Sequence, residues 1–270
     1  MDVRLATHSG HPERGNEDFV GAVPGSLVLL DGAGIPGTES ICRHGVGWYT
    51  HRLGGALLAR LARSDGRDLA AVLADAIDEV AAAHRGTCDL ANPSSPQATV
   101  ALLRVGEERL EHLLLADSTL LIGRAGAAGT PPDVLTDERE VAVRRVCTAP
   151  LSGLDPGSAA YEAALPGVKD ALRARRNTPG GYWIAKDDPA VAAEAVTGST
   201  RRSDVVDAVL LSNGVTRLVE PYALLTYTEL LDLTRIAGPE EVLRLLRSHE
   251  PDVPTRDDAT VAHVTLPASV

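Results

Sequence analysis

Hydrophobic and polar positions repeat along the chain with two different periods, and each change of period marks an element. Continuous or alternating apolar runs predict strands at 3–7, 19–23, 26–30, 98–105, 109–115, 119–123, 182–185, 208–211 and 259–266. Apolar residues at helical spacing predict helices at 39–63, 68–84, 161–176, 189–196, 224–236 and 240–249.

The order of these elements predicts the fold class. Strands, two helices, strands, helices and a last strand follow one another, which favours an α+β layered fold over a parallel βαβ sheet. The first two helices suggest an antiparallel pair packed on a sheet. The short turn at 106–108 predicts an antiparallel meander that the strand at 119–123 continues. Residues 124–160 are turn-rich and have no assigned element. There is no internal repeat or long linker, so we expect residues 1–270 to form a single domain.

Composition excludes several classes of partner. Hydrophobic residues make up 44% of the chain, enough for a core, and Leu, Val and Ala must fill it because aromatics are only 3%. The net charge of −11 disfavours nucleic acid and anionic membranes as partners. The first residues lack a basic segment followed by an apolar run, and no apolar stretch is long enough to span a membrane. We therefore expect a cytoplasmic protein.

Cysteine and histidine spacing gives no local metal motif. Cys42, Cys88 and Cys147 are odd in number and lack a CxxC pair, which argues against a disulfide framework and a zinc knuckle. The expectation is three reduced thiols. The eight histidines show no HExxH or other paired spacing, so we expect surface or core roles for them.

Carboxylate or amide side chains stand at the ends of several predicted strands. Apolar runs end at Asp31, Asp117 and Asn213, and acidic residues precede the strands at 19–23 and 259–266. Converging carboxylates repel one another unless a cation lies between them, and oxygen ligands favour Mg²⁺ or Mn²⁺ over zinc. Two such ions would activate a water and clamp a phosphoryl group. The same residue types are also ordinary turn formers, so the pattern alone does not identify a phosphatase.

In order, however, these motifs resemble those of the type 2C (PPM) metal-dependent Ser/Thr protein phosphatases, from about residue 8 to residue 266. The matching segments are Arg14 to Asp18, Asp31 to Gly34, Ser94 to Val100, Ala116 to Ser118, Leu135 to Glu138, Ser212 to Gly214 and Asp257 to Thr260. The resemblance implies an αββα four-layer sandwich, with two antiparallel β-sheets flanked by helix pairs.

The resemblance also implies roles for individual residues. Asp31 would bridge two Mg²⁺ or Mn²⁺ ions, and a water between the ions would attack phosphorus directly. The Gly32 carbonyl and Glu17 would serve one ion, Asp257 would ligate the other, and Asp117 could help hold a weaker third ion. Arg14 would contact the phosphate of a phosphorylated protein substrate.

Two departures from the family pattern leave alternatives open. Asn213 stands where the family has a ligand Asp, and an amide contributes no charge. Arg14 lies one residue closer to Glu17 than the family pattern has it, so its side chain would face the phosphate only if the loop adjusts. His11, Arg43 and His44 are alternative phosphate contacts, and Asp258 could restore the charge that Asn213 lacks. A pseudophosphatase that serves as a regulatory binding module, or a hydrolase of a small phosphorylated metabolite, therefore remain alternatives. The sequence leaves the oligomeric state open.

Overall fold

The computed structural model describes residues 1–11, 15–34, 40–125, 129–155, 157–250 and 256–267. Within these ranges the strands are β1 (Asp2–His8), β2 (Phe19–Val23), β3 (Ser26–Ala33), β4 (Gln97–Val105), β5 (Arg109–Leu115), β6 (Thr119–Arg124), β7 (Asp133–Leu135), β8 (Val196–Arg201), β9 (Val205–Leu211) and β10 (Ala259–Thr265). The helices are α1 (Gly45–Leu61), α2 (Leu69–His84), α3 (Arg139–Cys147), α4 (Ala159–Arg173), α5 (Asn213–Thr216), α6 (Tyr227–Ala237) and α7 (Pro239–His249).

The strands form two antiparallel sheets that pack face to face. One sheet has the order β1-β10-β9-β6-β7 and the other β2-β3-β4-β5-β8. Residues of both sheets fill the space between them, where leucines such as Leu29, Leu103 and Leu210 are fully buried. Burying one such side chain contributes about 1.5–3 kcal/mol, so this layer is a main source of stability.

A helix pair covers the outer face of each sheet. Leu53 and Leu57 of α1 and Ile77 of α2 are buried against the β2-β3-β4-β5-β8 sheet. Leu231 of α6 and Leu246 of α7 are buried against the other sheet. The predicted α+β class and αββα sandwich are therefore confirmed.

Several element predictions were wrong. The strand at 119–123 does not continue the meander, because β6 crosses to the other sheet and pairs with β9. The helix predicted at 189–196 is a 3-10 helix over Pro189–Glu194 followed by β8. The strand predicted at 182–185 forms only single bridges, at Tyr182 and Ala185. Residues 124–160, for which the sequence predicts no element, contain β7 and α3.

The antiparallel pairing brings the acidic strand ends to one edge of the sandwich, which we call the acidic rim. Its carboxylates are Glu17, Asp18, Asp31, Asp117, Asp257 and Asp258. His8 at the end of β1 pairs with Ala259 at the start of β10, and Leu211 at the end of β9 pairs with Thr119 at the start of β6. In the second sheet, Phe19 at the start of β2 pairs with Leu30 beside the end of β3. None of the helices in the described ranges combines the length and apolar character that a membrane span requires.

Candidate active site

Asp31 is the centre of the acidic rim. It lies near the end of β3, is only 7% exposed, and accepts a hydrogen bond from the backbone N–H of Asn213 at 3.1 Å. Burial raises its pKa well above the ordinary value, and the nearby charges of Asp18, Asp117 and Asp257 raise it further. A carboxylate so placed is costly to ionise unless a cation joins it.

Asn213 connects Asp31 to a second carboxylate. Its side-chain amide donates from Nδ2 to the Asp117 carboxylate at 3.3 Å, while its own buried Oδ1 has no hydrogen-bond partner in the described ranges. Asp117 follows Ala116, whose φ of 64° lies in the left-handed region. That conformation costs a residue with a Cβ about 1–2 kcal/mol, and it occurs where the chain passes from one sheet to the other.

Arg144 and Glu140 of α3 border Asp117. The Arg144 guanidinium lies 3.8 Å from the Asp117 carboxylate and donates to Glu140 at 2.6 Å. Burial raises the pKa of Asp117, and Arg144 opposes that rise. Burial, followed by the charge of Asp117, raises the pKa of Glu140 to about 7. The helix therefore brings both a further acid and a half-exposed cation to the rim.

Gly32, the residue after Asp31, packs closely against Glu17. A Cβ on Gly32 would collide with the backbone carbonyl of Glu17 and come within 2.7 Å of Val46 Cγ1. Only glycine fits this close approach. This close approach places the expected Glu17 and Gly32 ligands together beside Asp31, and the Glu17 side chain is half-buried.

Asp18, beside Glu17, is the acid that sequence reasoning did not choose. It is 3% exposed and accepts from the Thr260 hydroxyl at 2.6 Å, whereas its Oδ1 has no partner in the described ranges. Burial, with help from the charges of Asp258 and Asp257, raises its pKa to about 7. The only sequence signal was its position directly before β2.

Asp257 and Asp258 approach from the start of β10. Asp257 is half exposed and accepts from Arg217 at 2.7 Å. Asp258 accepts from the backbone N–H groups of Gly10 and Glu17 at 2.8 and 2.6 Å. Asp258 therefore holds the segment around Glu17, and its charge also raises the pKa of Asp18; that it replaces the charge that Asn213 lacks stays a prediction.

Arg14 lies outside the described residues. Of the other expected site residues, Asp31, Gly32, Glu17, Asp117 and Asn213 converge, and Asp257 lies near enough to influence the pKa of Asp31.

Solved structures of bacterial phosphatases superpose on the chain over nearly its full length. A bacterial serine phosphatase is 16% identical, with a TM-score of 0.61, and the match covers 100% of this chain and 99% of that one. The Mycobacterium tuberculosis serine/threonine phosphatase PstP/Ppp is 17% identical, with a TM-score of 0.61 and 98% of each chain covered. The PPM Ser-Thr phosphatase MsPP from Mycobacterium smegmatis, solved with cacodylate, is 17% identical, with a TM-score of 0.59 and 99% of each chain covered.

The fold is that of the PPM-type phosphatases. No protein-family model matches the chain. No curated protein matches it either.

The acidic rim of this PPM-type fold fits divalent cations. Burial, and then the charges of neighbouring carboxylates, raises the pKa values of Asp18 and Asp31, and two buried oxygens, Asp18 Oδ1 and Asn213 Oδ1, lack partners among the described residues. Oxygen donors of this kind are the ligands that Mg²⁺ and Mn²⁺ prefer.

Proposed function

We propose that this protein is a metal-dependent phosphomonoesterase that acts on phosphoserine or phosphothreonine in proteins, using Mg²⁺ or Mn²⁺. The observation that carries the proposal is the convergence of the buried Asp31 with Asp18, Asp117 and Asp257, whose charges add to burial in raising the pKa of Asp31. The PPM-type fold in which this convergence occurs supports a phosphatase over other metal-dependent hydrolases.

The chain's own residues divide the work of holding the cations. We assign Asp31 to the position between two ions, Glu17 and the Gly32 carbonyl to one side, and Asp257 to the other. Asp117 is available for a weaker third ion, and the amide oxygen of Asn213 is available at the position of a family ligand Asp. When bound, the ions would polarise the phosphoryl group and lower the pKa of a water that attacks it.

Charge complementarity limits what the rim can bind. Without cations the carboxylates repel a phosphate ester, so the substrate binds only after their charge is neutralised. Arg144 is half exposed beside Asp117 and could donate to a phosphoryl oxygen. We propose it as the cation that meets the substrate from the α3 side, with Arg14 as the predicted contact from the other side.

The direct test is hydrolysis as a function of added metal. Purified protein treated with a chelator should have no activity on p-nitrophenyl phosphate, and millimolar Mn²⁺ or Mg²⁺ should restore it. Phosphoserine and phosphothreonine peptides set against small phosphate esters then test the substrate class. Strong activity on a small ester with none on phosphopeptides would favour the metabolite-hydrolase alternative.

A second candidate is a pseudophosphatase, a regulatory binding module that keeps the fold. Asn213 favours it, because its amide donates to Asp117 and brings no negative charge to the rim. Absence of turnover at millimolar Mn²⁺ that Asn213→Asp also fails to restore would remove the enzyme proposal and leave this one.

A further inference from the structure

Two cysteines and two histidines form a cluster at one end of the α1–α2 helix pair. Cys42 and His44 lie directly before α1, His84 is the last residue of α2, and Cys88 follows it. One ligand atom from each lies within 4.8 Å of all the others. Sequence spacing excludes only a zinc knuckle built from one local segment, whereas this cluster draws its members from two segments that the antiparallel helices bring together.

The distances within the cluster suit a tetrahedral metal site. Cys88 Sγ lies 3.3 Å from Cys42 Sγ and 3.3 Å from His44 Nδ1, and Cys42 Sγ lies 3.9 Å from His44 Nδ1. Bonds of about 2.3 Å to sulfur and about 2.0 Å to nitrogen place the ligand atoms of a tetrahedral zinc ion roughly 3.3–3.8 Å apart. The two sulfurs are too far apart to be bonded, and both thiols are free.

His84 supplies an independent observation. Its side chain is 2% exposed, and its Nδ1 has no hydrogen-bond partner in the described part of the chain. A buried polar atom without a partner costs about 1–3 kcal/mol. The buried Nδ1 atoms of His112 and His263 also lack partners within the described ranges, but of these three histidines His84 is the one that lies among other metal-ligating side chains, and there its ring points to a ligand that the protein atoms do not include.

The surrounding residues hold the four ligands in place. The Trp48 ring stacks on His44 with centroids 4.3 Å apart and on His84 with centroids 5.1 Å apart. The backbone N–H of Asp89 donates to the Ile41 carbonyl at 2.9 Å, which ties the segment after α2 to the segment before α1. The ligand positions are therefore fixed by packing and hydrogen bonding rather than by surface side chains alone.

We infer that Cys42, His44, His84 and Cys88 bind one zinc ion. Two thiolates and two imidazoles are the soft and borderline donors that select zinc over Mg²⁺ or Mn²⁺. Four protein ligands leave no open coordination position, which makes the site structural rather than catalytic. This site is separate from the acidic rim, and the inference stands whether or not the proposed phosphatase activity does.

The zinc site would brace the end of β3, which carries Asp31. Val46 follows His44 by two residues, and its side chain packs against Gly32 and Gly34, where a Cβ on either glycine would collide with it. Zinc at the start of α1 would therefore fix the Val46 side chain, against which this end of β3 rests. Loss of zinc should loosen this end of α1 and lower the melting temperature.

Metal content and a cobalt spectrum test the inference. We expect metal-free protein to take up one zinc per chain, and Co²⁺ to give the thiolate-to-metal absorption that carboxylate-bound cobalt does not give. Cys42→Ser and Cys88→Ser should each lower that absorption, because one of the two thiolates is removed, and should bind zinc at least tenfold more weakly. Cys147→Ser is the matched control, because this third cysteine lies in α3 outside the cluster, and it should behave as the wild type.

His44→Gln provides a variant that keeps the fold, since this side chain is half-buried and the other three ligands remain. We expect weaker zinc binding with an unchanged circular dichroism spectrum. The inference is overturned if the wild type binds no zinc, or if the Cys42 and Cys88 variants bind it as tightly as the wild type. It is also overturned if protein purified without reductant contains a Cys42–Cys88 disulfide and takes up no zinc after reduction.

Discussion

Two buried aspartates at different places in the sandwich have opposite electrostatic surroundings. Asp207 on β9 is 2% exposed, yet its pKa is lowered, because hydrogen bonds from Arg235 at 2.6 and 2.8 Å and from His263 outweigh the effect of burial. Asp31 is about as buried but faces other carboxylates, and its pKa is raised. The fold thus supplies a counter-charge to Asp207, whereas Asp31 faces other carboxylates, where we propose that cations supply the positive charge.

The largest expected effect is on turnover. Asp31→Asn removes the carboxylate that we place between two cations, and should lower metal-dependent hydrolysis about a thousandfold, since metal stabilisation is worth several kcal/mol. Asp207→Asn, the matched control at the paired site, should leave turnover unchanged. Steady-state kinetics at saturating Mn²⁺ would measure both. Full activity in Asp31→Asn would show that the site is wrongly assigned.

The second prediction concerns how the free energy of unfolding of chelator-treated protein depends on pH. The Asp18 pKa is raised to about 7 in the folded state, so between about pH 4 and 7 the folded state keeps a proton that the unfolded chain has lost. The free energy of unfolding should therefore fall as the pH rises through this window, by about 4 kcal/mol for this group.

Urea denaturation at a series of pH values measures that slope, and Asp18→Asn should flatten it. Asp207 has the opposite sign: its contribution is present above about pH 4 and is lost as the pH falls below its lowered pKa. If the pH dependence of the free energy of unfolding were the same in Asp18→Asn as in the wild type, Asp18 would not be the acid with the raised pKa.

The third prediction distinguishes stabilisation by the Arg235–Asp207 ion pair from stabilisation by bound metal. Arg235→Met leaves Asp207 buried without its main counter-charge, and should lower the free energy of unfolding by about 3 kcal/mol. Added Mn²⁺ should not restore this loss, because the pair is remote from the rim. Thermal melts with and without metal would check this, and a loss below about 1 kcal/mol would mean that solvent reaches the pair.

The smallest effect concerns the departure at Asn213. Asn213→Asp adds a charge beside Asp31 and Asp117 and should lower the Mn²⁺ concentration for half-activation about tenfold, or about 1.4 kcal/mol. In chelator-treated protein the same change should destabilise, since it adds repulsion. Asn92→Asp, in the segment between α2 and β4, matches the charge change and should do neither. Equal shifts in both variants would indicate a general effect of net charge.

Much of the fold could be predicted from the sequence because the periods of two and 3.6 residues mark strands and helices directly. The period says nothing about which strand is the partner. The run at 119–123 was therefore assigned to the meander, although β6 pairs with β9. The run at 189–196 was too short to separate a helical turn from the strand that follows it.

The site was predictable where a strand ends in a carboxylate, as at Asp31 and Asp117. It was not predictable at Glu17 and Asp18, because nothing in the local sequence tells which of two neighbouring acids faces the site. Glu140 could not be predicted either, because it lies on α3, in a segment for which the sequence predicts no element. The cysteine–histidine cluster had a usable signal. An antiparallel pair at 39–63 and 68–84 already places residues 42 and 44 beside residues 84 and 88.

The pairing of β1 with β10 has a consequence for how the molecule reaches its native state. Asp2 pairs with Thr265, so the sheet that borders the rim joins segments from opposite ends of the sequence. Such contacts close a very long loop and make folding slow. During synthesis, the acidic rim therefore cannot assemble until β10 has left the ribosome, and a chain stalled before β10 would lack the contribution of Asp257 and Asp258 to that rim.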